Sequence, residues 1–72
     1  MSTEVASDLV ANVAKVLVTV GERVQAGDEL ALLESMKMEI PVLAERAGTV
    51  TEVAVGDGDV VQEGDVLVVL SD

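Results

Sequence analysis

The chain contains itself twice. Shifted by 37 positions, Val13 to Leu33 falls on Val50 to Leu70 without a gap, and ten of the 21 aligned residues are identical. The matches are Val13/Val50, Val16/Val53, Val18/Val55, Gly21/Gly58, Val24/Val61, Gln25/Gln62, Gly27/Gly64, Asp28/Asp65, Leu30/Leu67 and Leu33/Leu70. Two copies are too few for a stacked solenoid, which needs about three repeats or more, so a closed object with pseudo-twofold symmetry is predicted. Each copy reads as an alternating strand, then Gly-x-x-Val-Gln-x-Gly-Asp, then a second apolar strand. Gly21, Gly27, Gly58 and Gly64 are expected in turns with positive φ, and the valine between each pair can point inward from a short strand. Gly48 is assigned a turn role as well.

Composition settles which kind of closed object. Of 72 residues, 16 are Val, 8 Leu, 8 Ala, 3 Met and 1 Ile, with no aromatic side chain. The β-branched bias argues for sheet. The fold class expected is all-β: a flattened antiparallel barrel or sandwich of two small sheets, each repeat giving strands to both, with no helix. Alternation of Val16, Val18 and Val20 against Leu17 and Thr19, and of Leu30 and Leu32 against Ala31, is read as half-buried strand. A chain of this size buries only about 60% of its unfolded surface, so one domain, 1–72, is expected, monomeric when free.

The same composition narrows function. Without Cys or His there are no disulfides, no Cys/His zinc site and no histidine-based triad. A net charge of −10 repels phosphate backbones and anionic membranes, and stacking platforms for single-stranded nucleic acid are missing. Neither nucleic acid nor membrane is expected as a partner. No apolar run approaches the roughly 20 residues of a membrane span, and Met1-Ser2-Thr3-Glu4 has no signal-peptide character, so a cytoplasmic location is expected. Asp57-Gly58-Asp59 lacks the spacing of a calcium loop and reads as a turn.

Symmetry also singles out a position. The halves are joined by Glu34-Ser35-Met36-Lys37-Met38-Glu39, whose counterpart is the gap between the chain ends. A tip is therefore expected at the end of the domain opposite the termini. Strands on either side leave room for only a two-residue turn at Met36-Lys37, yet such turns ordinarily require Asn-Gly or a similar pair able to take positive φ. A Met-Lys turn carries strain that an ordinary hairpin has no reason to keep. Methionines beside a turn are also poorly placed to fill a core. Lys15 is the internal control, a lysine in an alternating strand with no methionine bracket, expected to be solvated and outward.

Set between Gly27-Asp28 and Gly48-Thr49-Val50, the Met-Lys-Met tripeptide of Glu34 to Glu39 resembles the attachment site of a biotinyl domain of the biotin carboxyl carrier family. The resemblance extends through Val55, Gly58-Asp59, Val61 and Gly64 to Leu67. Departures are Ser35 where alanine commonly precedes Met-Lys-Met, Ala-Ser-Asp-Leu-Val-Ala-Asn-Val at Ala6 to Val13 in place of an Ala-Pro-Met-x-Gly-x-Val stretch, and no extra insertion in the first half. The resemblance implies that Lys37 Nζ is joined in an amide to biotin by a biotin protein ligase, with Glu34, Ser35, Met36, Met38 and Glu39 as flanking recognition residues. It further implies a non-catalytic carrier that conveys CO2 on biotin between a biotin carboxylase and a carboxyltransferase. Three rivals stay open: a lipoyl domain, whose lysine usually stands in Asp-Lys-Ala; a biotinylated storage or interaction protein without a carboxylase; and an unmodified structural domain.

Overall fold

The computed structural model describes residues 2–72 and contains eight strands, with no helix among the described residues. They are β1 (Ser2–Ala6), β2 (Ala11–Val16), β3 (Arg23–Val24), β4 (Glu29–Ser35), β5 (Met38–Leu43), β6 (Gly48–Val53), β7 (Val60–Val61) and β8 (Val66–Ser71). Two antiparallel sheets form, in the orders β1-β8-β6-β3 and β5-β4-β2-β7. Moving 37 residues along the chain converts either order into the other, so the expected pseudo-twofold and the sharing of each repeat between both sheets are present.

Symmetry reaches the level of single hydrogen bonds. Gly21 N–H donates to Val50 O at 2.7 Å and Gly58 N–H to Val13 O at 2.7 Å; Gly27 N–H donates to Ala44 O and Gly64 N–H to Ser7 O, both at 2.8 Å. These bonds tie loops of one repeat to the other, two of them to strand residues and two to residues just past a strand end. Each Gln-x-Gly-Asp segment folds into one turn for a stated reason. The Asp28 carboxylate accepts from Gln25 N–H at 2.8 Å while Gly27 sits at φ 93°, and Asp65 accepts from Gln62 N–H at 2.8 Å with Gly64 at φ 91°. The backbone closes the same four residues, Asp28 N–H donating to Gln25 O at 3.1 Å and Asp65 N–H to Gln62 O at 3.0 Å, so each segment is a β-turn whose third position needs the positive φ that glycine supplies. Gly21 and Gly58 also have positive φ, as expected.

Gly48 does not. It opens β6, is absent from the positive-φ positions, and pairs with Val24 of β3. Its lack of a side chain answers a different need, since a Cβ there would lie 2.6 Å from Ser71 O. The turn role assigned to Gly48 is thereby replaced by close backbone approach.

The core lies between the sheets. Val13, Val24, Leu30, Leu33, Val50, Val61, Leu67 and Leu70 are all buried, so the repeated apolar positions are the ones that meet in the middle. Val24 and Val61 point inward from their two-residue strands as read from the repeat.

Two details of the alternation are corrected. Leu30 and Ala31 are both fully buried, and so are Leu67 and Val68. Pairing of β4 with β5 jumps from Glu29/Leu43 to Ala31/Val42, and pairing of β8 with β1 from Val68/Val5 to Val66/Ala6, leaving Leu30 and Leu67 as the extra residues of two β-bulges. A bulge interrupts the period-2 rule by leaving its extra residue outside the pairing. Symmetric bulges at Ala14 and Thr51 bend β2 and β6. The second correction concerns Val16 to Val20. Strand β2 stops at Val16; Val18 is buried in the crossing to the other sheet, whereas Val20 is exposed beside the turn at Gly21.

Candidate functional site

Strands β4 and β5 meet in a two-residue hairpin whose last pairs are Glu34/Glu39 and Ser35/Met38. Met36 and Lys37 form the turn with φ of 53° and 65°. Positive φ at both central residues is the requirement of a type I′ hairpin turn, which matches the right-handed twist of the strands it joins. For residues bearing a Cβ the left-handed region costs about 1–2 kcal/mol each. These two are the only residues other than glycine with positive φ among those described. The strain expected from the sequence is therefore present and falls on the lysine itself.

The turn is bare. Met36 is 92% exposed and Met38 64%, and Lys37 and both glutamates are exposed, with Ser35 half-buried. Two large apolar side chains mostly in water and outside the core contribute little burial, so they do not hold the fold together. Glu34 and Glu39 stand directly opposite one another, and like charges facing across a strand pair are destabilising by a few tenths of a kcal/mol. Their counterparts by symmetry, Ser71 and Ser2, are neutral. Lys15, by contrast, projects outward from mid-strand opposite Leu32, as expected of a solvated lysine.

No enclosed chemistry surrounds Lys37. The cleft of about 450 Å³ that the fold does hold lies between edge strands β1 and β5, and none of Glu34 to Glu39 lines it. Its lining is symmetric, including Val5 with its counterpart Val42 and Leu33 with its counterpart Leu70. Nothing in the sequence announced this cleft, because it arises from two edge strands that do not pair. The acids of the Asp57-Gly58-Asp59 loop bond to backbone, Asp57 accepting from Val16 N–H and Asp59 from Gly56 N–H, both at 2.8 Å. No cluster of potential metal ligands occurs among the described residues. What the tip offers chemically is one exposed primary amine held at a fixed point by a rigid hairpin, with apolar thioethers on both sides. Such an amine suits a group carried at the end of a long arm, since nothing in the fold would have to move to admit it.

A strained, solvent-facing lysine on a hairpin whose symmetry counterpart is the gap between the chain ends, carried by two interlocked four-stranded sheets, has the form of a carrier module of the attachment-domain class. Residues 2–70 match the family described as biotin-requiring enzyme, and the chain belongs to that family. It is 52% identical over 71 residues to the biotinylated protein TB7.3 homolog of Mycobacterium leprae, covering 99% of this chain and all of that one. It is 51% identical to the biotin/lipoyl attachment protein of Bacillus subtilis, covering 93% of this chain and 92% of that protein. Among solved structures, a single-chain, multi-domain long-chain acyl-CoA carboxylase matches with a TM-score of 0.92 at 33% identity, over 97% of this chain and 7% of the larger one. The lipoyl domain of the 2-oxoglutarate dehydrogenase complex from Azotobacter vinelandii matches with a TM-score of 0.75 at 30% identity, over 88% of this chain and 80% of that domain. Biotin is the cofactor that the family requires, and the chain is a carrier domain of the kind found in biotin-dependent carboxylases.

Proposed function

We propose that Lys37 Nζ is the point of covalent attachment of biotin and that the domain, itself non-catalytic, conveys CO2 between a biotin carboxylase and a carboxyltransferase. The observation that carries this reading is the turn: Lys37 occupies a positive-φ position at a fully exposed tip, bracketed by Met36 and Met38. Amide formation needs a free amine lone pair and a carboxyl group carrying a leaving group, and an unactivated carboxylate does not acylate an amine in water. A separate biotin protein ligase therefore has to take up the amine, remove its proton and present activated biotin to it. Once attached, biotin supplies a ring nitrogen on which CO2 can be held. The chain's own contribution is positional: the ladder of β4 and β5 fixes the root of the lysine, and the side chain provides reach. Met36 and Met38 offer the ligase an apolar surface on either side of the amine, with Glu34, Ser35 and Glu39 completing the contact.

The lipoyl domain in the comparison shares the architecture, so architecture alone does not choose between the two cofactors. The methionine bracket and the family's requirement for biotin favour biotin. The test is intact mass after incubation with biotin, ATP and a biotin protein ligase, followed by trypsin. Wild type should gain one biotin less one water and resist cleavage after Lys37, so that Val24 to Arg46 survives as one peptide. Lys37→Arg should gain nothing and keep its unfolding midpoint, and Lys15→Arg should behave as wild type. Biotin on Lys37→Arg, or gain of lipoate in place of biotin under a lipoate ligase, would overturn the assignment. Co-purification of a carboxylase with the biotinylated chain separates a carboxylase role from storage.

A further inference from the structure

We infer that Met36 and Met38 are a second modification site: their thioethers are open to oxidation by peroxide, and the sulfoxide form closes the lysine between them to its ligase. The inference rests on Lys37 being the attachment lysine. Three observations lead to it. The chain has no cysteine, histidine or aromatic residue, so thioethers are the side chains a mild two-electron oxidant can reach. Both tip thioethers are open to solvent, Met36 at 92% and Met38 at 64% exposure. Neither contributes to the buried core, so an added oxygen there leaves the packing of the sheets intact.

The chemistry balances simply. A lone pair on Sδ attacks one oxygen of hydrogen peroxide, the S–O bond forms as the O–O bond breaks, and the proton on the transferred oxygen passes to the departing hydroxide, which leaves as water. Sulfur loses two electrons and the peroxide gains them. An apolar, flexible side chain becomes polar and chiral. Where a ligase covers the tip, the new S=O must lose its water, and a buried polar group left without a partner weakens the complex roughly tenfold or more. In a buried methionine the same oxidation would unfold the domain. At this tip it is read only by whatever binds there, and methionine sulfoxide reductases acting with a dithiol reductant reverse it.

The test treats the full chain with hydrogen peroxide, maps the added oxygen by peptide mass, and measures the initial rate of biotin incorporation before and after. Peptides carrying sulfoxide at Met36 or Met38 should accompany a fall in rate of roughly tenfold or more, an unchanged unfolding midpoint, and recovery after treatment with the two reductases that act on the two sulfoxide epimers. The Met36→Leu/Met38→Leu double variant should show the same rate before and after peroxide. Equal rates for oxidised and untreated wild type would overturn the inference, as would an equal fall in the double variant, which would place the effect elsewhere. An untreated chain that takes up no biotin at all would instead refute the attachment reading.

Discussion

Met36 and Lys37 hold backbone angles that glycine would hold about 1–2 kcal/mol more cheaply at each position, and that asparagine tolerates through local hydrogen bonding. That cost is visible in the sequence only as an improbable turn pair, and it became interpretable because the repeat fixed where the turn must fall. Gly48 shows the opposite case. Its glycine was legible but its reason was not, since a close approach to Ser71 O depends on how β6 lies against β8. Gly48→Ala should lower stability by about 1–3 kcal/mol through this clash, although its backbone angles suit alanine. Urea denaturation would measure it, and an unchanged midpoint would mean that β8 yields easily.

At the scale of elements, the Gln-x-Gly-Asp turns are duplicated in sequence and in hydrogen bonding, which makes each a control for the other. Asp28→Ala and Asp65→Ala should each cost about 1 kcal/mol, by equal amounts and additively, because each removes one bond to a backbone N–H and the two share no partner. Unequal losses in thermal melts would show that the two halves of the core are not energetically matched. The strands themselves were legible from apolar alternation as far as alternation holds. It fails at Leu30 and Leu67, where a bulge buries two neighbours in succession, and nothing in Leu-Ala-Leu-Leu or Leu-Val-Val-Leu marks the slipped residue. It fails again after Val16, where the chain crosses between sheets and Val18 and Val20 part company. Which strand joins which sheet is a long-range fact that local patterning does not carry.

For the molecule as a whole, 14 acidic against 4 basic residues within a radius of gyration of 11.1 Å place most charges within reach of their like. The Debye length falls from about 30 Å at 0.01 M salt to about 10 Å at 0.1 M. Raising sodium chloride over that range should therefore raise the thermal midpoint, a trend that scanning calorimetry would detect, and a flat response would show that the charges are already spaced beyond mutual influence. The location of the candidate site was the most legible property of the whole molecule, because the repeat singles out the segment joining the two halves before any contact is known; the cleft between β1 and β5 was the least. One mechanical property follows from the pairing of Ser2 with Ser71. Both ends of the described chain leave from the same end of neighbouring antiparallel strands, so tension between them loads the β1–β8 ladder one residue pair at a time, starting at Ser2 and Ser71. A tug transmitted along a tether would peel β1 away while the β4–β5 hairpin still held its turn closed.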